Sequence, residues 1–460
     1  MIHRGMIHRG MIDRGMKITA QTGREMAWLG WSSWKLPVGS VLLGMLIGTA
    51  VWLSPFLAAA LVLGIPLALY ALVQPEQTSL LLLVFTAISI QYVFDAVFMG
   101  MDLLSLYKLC VLALLLPYVC KAGIHHGLTA PLAAFVALLL ISLLLSRPDA
   151  VTAMSNSPVK AFIGLAVPFF ILIVRWNRET AHKHIQLICL LPLISVLAGG
   201  VLHLAGLHEL YVIEFTGAFR LSGANISAHL AMLAFVGMIV AVIEMKRNPV
   251  KARWFLFFAG LNFAILLATG TRGPILASVA VILYTVWDLC KQFLKGKAYY
   301  LIPIGLLTLV IATASFLQWE NMKKRSFERS TAEGIDLSGR SEAWSYFIAK
   351  GEDTPWFGKG LGAVLYANDG TIFEGFVVPH NEYIRFYYDT GLFGAGLLFV
   401  SILVMLGWSL RHAPPVVRPY LVAFFLGFLI YSFSDNTMST LQFTLPFCWY
   451  LNALANVAEP

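Results

Sequence analysis

Apolar residues run along most of this chain in blocks of about 17 to 25, separated by short polar breaks. Blocks of that length match the roughly 20 residues a helix needs to cross a bilayer. Spans are expected at 36–53, 56–73, 78–98, 103–120, 128–146, 159–175, 184–206, 226–244, 253–269, 273–290, 299–317, 384–409, 416–433 and 439–457. The first of these are short and tightly joined, and such pairs can be re-entrant or interfacial. The expected count is therefore about 12 (12–14) transmembrane helices. A membrane β-barrel would alternate apolar and polar residues over about ten positions, so that class is excluded. The expected fold class is all-α, a polytopic integral membrane protein.

The pattern breaks once at length, from Gln318 to Glu382. This divides the chain into a basic N-terminal segment 1–35, N-terminal transmembrane helices over 36–317, a large polar loop with short helices over 318–382, and C-terminal transmembrane helices over 383–460. The N-terminus repeats Met1-Ile-His-Arg-Gly, Met6-Ile-His-Arg-Gly and Met11-Ile-Asp-Arg-Gly. It has no hydrophobic face and is expected to be disordered. Met16 is a second candidate start. No cleavable signal peptide is expected, because the first apolar run begins near Leu36 and leads into further spans.

Composition agrees with the pattern. Hydrophobic residues make up 59% of the chain and charged residues 12%, about half of what a soluble protein carries. Cys110, Cys120, Cys189, Cys290 and Cys448 lie in or beside apolar runs without metal-ligand spacing, so neither a disulfide framework nor a metal site is expected. No cofactor is implied either: a nucleotide-binding glycine loop is missing, and the acids of the polar segment are scattered.

The net charge of +8 comes largely from short loops, where it sets orientation before it suggests a nucleic-acid partner, and none is expected. Arg175, Arg178 and Lys183 share one loop. Lys246, Arg247, Lys251 and Arg253 share a second, Lys291, Lys295 and Lys297 a third, and Arg411 and Arg418 a fourth. Counting spans puts all four on the side of the basic N-terminus, which the positive-inside rule makes cytoplasmic. The opposite side receives Arg147, Arg220, Arg272 and the whole polar segment.

Those outer arginines are the candidate chemistry. A guanidinium at membrane depth is costly unless paired or facing a wet cavity, and its planar fork matches phosphate oxygens. Arg272 stands out, because it occupies a tight turn, Thr269-Gly270-Thr271-Arg272-Gly273, where glycines permit close backbone approach. Arg340 follows within the polar segment. That segment closes on Pro379-His380-Asn381-Glu382-Tyr383, where His380 can accept a hydroxyl proton near neutral pH. Glu382 and Asp389 are candidate partners to orient it.

Gly339-Arg340-Ser-Glu-Ala-Trp344, Pro355-Trp-Phe-Gly358-Lys-Gly360-Leu-Gly362, His380-Asn381-Glu-Tyr383-Ile384 and Gly391-Leu-Phe-Gly394 follow in that order. The succession resembles the domain shared by O-antigen ligases, O-antigen polymerases and bacterial protein O-oligosaccharyltransferases. Arg220-Leu-Ser-Gly223 and Thr271-Arg272-Gly273 resemble the arginine motifs that precede it.

The resemblance implies a GT-C-like glycosyltransferase of the bacterial inner membrane with its site facing the periplasm. It implies a glycan donor on undecaprenyl diphosphate in a lipid-facing groove and, for a ligase, a lipid A–core acceptor. His380 matches the family's essential histidine, Arg272 and Arg340 its essential arginines, and Arg220 a looser position. Arg147 joins the diphosphate set from topology alone, while Asn381, Glu382 and Tyr383 support His380. The reaction expected is metal-independent and inverting. Among acceptors, the end of the chain directly after an apolar run points to the ligase before the protein glycosylating enzymes. A polymerase and a non-enzymatic lipid or glycan transporter are the alternatives.

Overall fold

The segment Ser227–Arg247 is apolar on every side, and a helix of that kind has to be covered by others. In the computed structural model it is, with 78% of its span buried. The chain forms two compact units, Met1–Val73 and Gln74–Pro460. Within the second, the structure describes residues 74–89, 97–98, 101–146, 157–214, 217–327, 340–367 and 378–458. The expected segment 1–35, the spans 36–53 and 56–73 almost entirely, and Arg147 lie outside the described residues.

The described helices of the second unit are α1 (Pro75–Phe85), α2 (Leu103–Ala122), α3 (Thr129–Leu144), α4 (Ser157–Phe170), α5 (Arg178–Leu204), α6 (Ser227–Arg247) and α7 (Ala252–Ala268). They continue as α8 (Arg272–Leu294), α9 (Leu301–Phe327), α10 (Arg340–Gly351), α11 (Glu382–His412), α12 (Arg418–Ser432) and α13 (Leu441–Ala458). The central α6 packs against α5, α7 and α13, α8 lies along α12, and α11 lies along α3. Among the described residues, seven helices are long and apolar enough to cross a membrane. The chain is thus a multi-pass membrane protein by length and composition.

Two expectations change. The all-α class admits two small antiparallel hairpins, β1 (Val97–Phe98) with β2 (Met101–Asp102) and β3 (Tyr211–Ile213) with β4 (Phe219–Leu221). The span expected over 78–98 is not one helix, because α1 stops at Phe85. Thr86 turns its hydroxyl back onto the Leu83 carbonyl, and the Ser89 amide donates to Ala224 O at 2.9 Å. Ser89 Oγ also meets Asn225, whose Nδ2 donates to Ala87 O at 2.6 Å, and it accepts from Gln442 Nε2 at 2.8 Å. The run reads as apolar because protein covers it; its polar residues are satisfied by other segments.

Helix α11 is broken near its start, and the break explains the glycine-rich motif. Gly391 has φ +69° and ψ −178°, a conformation open essentially only to glycine. The break frees backbone groups, and the loop Pro355–Val364 takes them up. Lys359 N donates to Tyr388 O at 3.0 Å and Gly360 N to Asp389 O at 2.9 Å, while Leu392 N donates to Pro355 O at 2.8 Å. The Asp389 carboxylate accepts from Gly362 N at 3.0 Å and Val364 N at 2.9 Å. A Cβ on Gly358 would sit 2.5 Å from the Asp389 backbone, so the two chains touch where only glycine fits. Loop and helix thus form one clasp, which Leu361 N ties to α3 through Ser142 O at 3.0 Å.

The polar segment does not open as a loop. Its first residues, from Gln318 to Phe327, continue α9. Further on, α10 docks on α11 through Ala343, Phe347, Ala363, Val364 and Tyr388. Phe347 meets Tyr388 edge-on at 5.2 Å.

Candidate active site

Three elements meet where α10, the start of α11 and the α12–α13 loop come together. Asn381 caps α11, its Oδ1 accepting from Tyr383 N at 3.0 Å and Ile384 N at 3.1 Å. His380 precedes the cap with φ +48°, the one non-glycine residue with positive φ among the described residues. Strain of this kind persists only where the surroundings enforce it. Here Trp344 of α10 enforces it on one side, its Nε1 donating to Pro379 O at 2.8 Å. The same indole packs edge-on against Phe433 at 5.1 Å and so also touches the α12–α13 loop.

On that loop stands the partner of His380. Its Nδ1 lies 3.1 Å from Asp435 Oδ1. The carboxylate is almost fully enclosed, whereas the imidazole keeps 33% of its surface exposed. Burial pushes the Asp435 carboxyl up. The hydrogen bond and charge of His380, the Asn436 amide at 2.9 Å and the nearby charge of Arg340 outweigh that and hold it below the usual carboxylate range. An ionised Asp435 fixes Nδ1 as the protonated nitrogen, the arrangement in which a buried carboxylate orients a general base.

The candidate partners for His380 read from sequence, Glu382 and Asp389, both serve elsewhere. Glu382 is fully buried, and its Oε1 accepts from Met438 N at 2.7 Å and Ser439 N at 3.1 Å, which holds the loop carrying Asp435. Asp389 belongs to the clasp. The Tyr383 hydroxyl donates to Leu429 O of α12 at 2.9 Å, and its ring stacks on Phe399, further along α11, at 4.9 Å.

The arginines divide into two kinds. Arg340, the first residue of α10, acts electrostatically on both Asp435 and Tyr431. Arg272 opens α8, and the next residue, Gly273, faces the same loop: a Cβ there would sit 2.5 Å from Ser434 Oγ and 3.3 Å from the Tyr431 ring. Arg340 is thus within electrostatic reach of the Tyr431–Asp435 segment, and the turn that carries Arg272 packs against it through Gly273.

Arg220 has a different task. Its Nε donates to Thr269 O at 2.9 Å, one terminal nitrogen to Thr271 Oγ1 at 2.9 Å, and the other pairs with Glu214 at 2.8 Å. These bonds tie Arg220 to the Thr269–Thr271 turn just before Arg272, and its charge also reaches Tyr431. Its neighbour Gly223 lies so close to Gly199 of α5 that a Cβ on Gly199 would overlap the Gly223 backbone, which fixes the loop to the bundle.

Residues 257–399 match the model of the family described as O-antigen ligase. The resemblance read from the ordered motifs is thereby shown for this segment, which holds Arg272, Arg340, the glycine clasp and His380. Arg220 lies before it and Asp435 after it. No curated protein matches the chain. The membrane-embedded architecture and the family segment together support an O-antigen ligase or polymerase type of function in broad terms.

Asp435 escaped the sequence reading, as did His229, a half-buried residue of α6 within electrostatic reach of it. A signal existed. Ser432-Phe-Ser-Asp435-Asn-Thr437 is a polar break between two apolar spans, and counting spans from the Arg411–Arg418 loop puts it on the side of His380.

Proposed function

We propose that the protein is an O-antigen ligase, transferring a polysaccharide from undecaprenyl diphosphate to a sugar hydroxyl of lipid A–core on the periplasmic side of the bacterial inner membrane. The observation that carries this reading is the His380–Asp435 pair beside Arg340, with His380, Arg340 and Arg272 all inside the segment that matches the family. His380 accepts the acceptor hydroxyl proton on Nε2, and Asp435 stabilises the imidazolium that forms. The acceptor oxygen bonds to the anomeric carbon as the bond from that carbon to the diphosphate oxygen breaks. The diphosphate leaves on the face opposite to attack, so one displacement inverts the anomeric centre.

Arg272 and Arg340 meet the charge that develops on the leaving diphosphate, the step at which fixed cations contribute most. Arg220 keeps the Arg272 turn in shape, and Arg147, assigned to the same side by counting spans, is the further cation of the clamp. The leaving group is a weak base, so protonation by an enzyme acid is unnecessary.

Lipopolysaccharide from a deletion strain complemented in trans tests the reading. Loss of the protein strands long glycans on the lipid carrier, and wild type restores capped core while Arg272→Ala does not. Single repeat units on core in the deletion strain would instead identify a polymerase, and normal capping by Arg272→Ala would remove the proposed clamp.

A further inference from the structure

The far end of the same helices holds a cavity away from His380. Helices α5 and α7 begin at this end and α6 finishes there, so it lies a helix length, roughly 30 Å, from the Arg272 turn. A pocket of about 290 Å³ opens between His182 and Gln186 of α5, Arg247 and Asn248 at the end of α6, and Lys251 just before α7. Its acid, Glu244, is fully buried and already satisfied. Arg247 Nε donates to its two oxygens at 3.0 and 2.8 Å, a terminal nitrogen pairs at 2.6 Å, and Tyr450 Oη donates at 3.4 Å.

With Glu244 neutralised by Arg247, the remaining charge in and around the pocket is positive. Among the described residues, the exposed Lys251 ammonium has no carboxylate within ion-pair distance, and Arg247, Arg178 and Lys251 all act electrostatically on His182. The amides of Gln186 and Asn248 add neutral N–H donors at the wall. Immediately beside Lys251, Val250 is 94% exposed and Trp254 67% exposed, an apolar and an interfacial residue turned outward.

We propose that this pocket binds the phosphate of an anionic phospholipid headgroup. A phosphate diester carries one charge and acceptor oxygens, which the cations and amides can meet together. Its acyl chains would run along the exposed apolar surface that Val250 and Trp254 begin. Basic pockets between the ends of membrane helices favour anionic headgroups for this reason, and a soluble phosphate ester would gain only the polar half of the interaction.

Native mass spectrometry of the full-length protein, with phosphatidylglycerol, phosphatidylcholine and glycerol 1-phosphate as probes, tests the proposal. Phosphatidylglycerol should be retained well above phosphatidylcholine. Lys251→Gln should weaken that retention about 5-fold, the effect of one charge near a lipid phosphate. Lys251→Arg should keep it, and Lys295→Gln, on the neighbouring basic loop, should leave it unchanged. Equal retention of the two lipids, an equal loss with Lys295→Gln, or glycerol 1-phosphate binding as tightly as the lipid would overturn the assignment. Lys251 is exposed, and thermal unfolding in phosphatidylcholine should match wild type.

Discussion

The glycine clasp around Gly391 and the His380–Asp435 pocket lie at the two ends of one short helical stretch, yet they use the same residue types for opposite purposes. Each contains a buried aspartate. In the clasp, Asp389 spends both carboxylate oxygens on backbone amides, 3.0 Å from Gly362 N and 2.9 Å from Val364 N. In the pocket, Asp435 accepts from the Asn436 amide and faces an imidazole that remains one-third exposed. The first arrangement has no titratable group left to offer a substrate; the second points one at the surface. Motif residues that travel together in sequence thus separate into those that hold the helix break and those that can do chemistry.

The comparison is broken most strongly in the clasp. Gly391→Ala puts a Cβ 2.3 Å from the Trp356 carbonyl on a backbone with φ +69°. It should cost upward of about 3 kcal/mol and lower the amount of folded protein, read by fluorescence-detected size exclusion. A variant present in normal amount with normal unfolding would show that the clasp is not structural.

Arg272→Lys acts in the other region. It keeps the charge but loses the fork, and should reduce glycan transfer about 10²-fold at unchanged protein level if two oxygens are gripped at once. Transfer within a few-fold of wild type would mean that a point charge suffices.

Asp435→Asn should reduce turnover by a factor of about 10 to 10², since the amide can no longer stabilise the imidazolium. The sign of the pH effect follows from the lowered Asp435 carboxyl. Its contribution to stability is fully present above the ordinary carboxylate range and is lost as pH falls through the lower folded value. Above the ordinary carboxylate range, about pH 4, the ionised Asp435 should therefore contribute in full, and unfolding of wild type and Asp435→Asn should converge only in stronger acid. Convergence already near pH 6 would contradict an ionised Asp435.

The smallest effect is expected from Tyr383→Phe. It removes one hydrogen bond to Leu429 O but keeps the ring stack on Phe399, costing about 1 kcal/mol with transfer intact. A large loss of transfer without loss of stability would place Tyr383 in the chemistry instead.

Much of this was legible in the chain. The expected spans 226–244, 253–269 and 273–290 fall on α6, α7 and α8, since runs such as Ser227–Arg247 are apolar enough to permit little else. The ordered motifs, with His380, Arg272 and Arg340, also fall within the segment that matches the family model.

What failed to show was pairing. Asp435 lies 55 positions from His380 and meets it only because α11 and α12 run back on each other. Asp389 was the more tempting partner by proximity in sequence, although eight helical residues place it about 12 Å further along the axis. The partners of Arg220 were hidden for a related reason: Thr269 and Thr271 lie about fifty positions further on and reach its fork only in the fold. The end of α1 was hidden because burial by protein and burial by lipid select the same apolar residues.

The central claim is that His380 and Asp435 act as one unit, and a double-mutant cycle on purified protein tests it most directly. Transfer from a lipid-diphosphate glycan to lipid A–core would be timed for wild type, His380→Ala, Asp435→Asn and the double variant, with thermal unfolding measured alongside. The account predicts that His380→Ala removes transfer by a factor of about 10² to 10⁴ and that adding Asp435→Asn lowers it little further. Multiplying losses, or transfer retained by His380→Ala at normal stability, would contradict it.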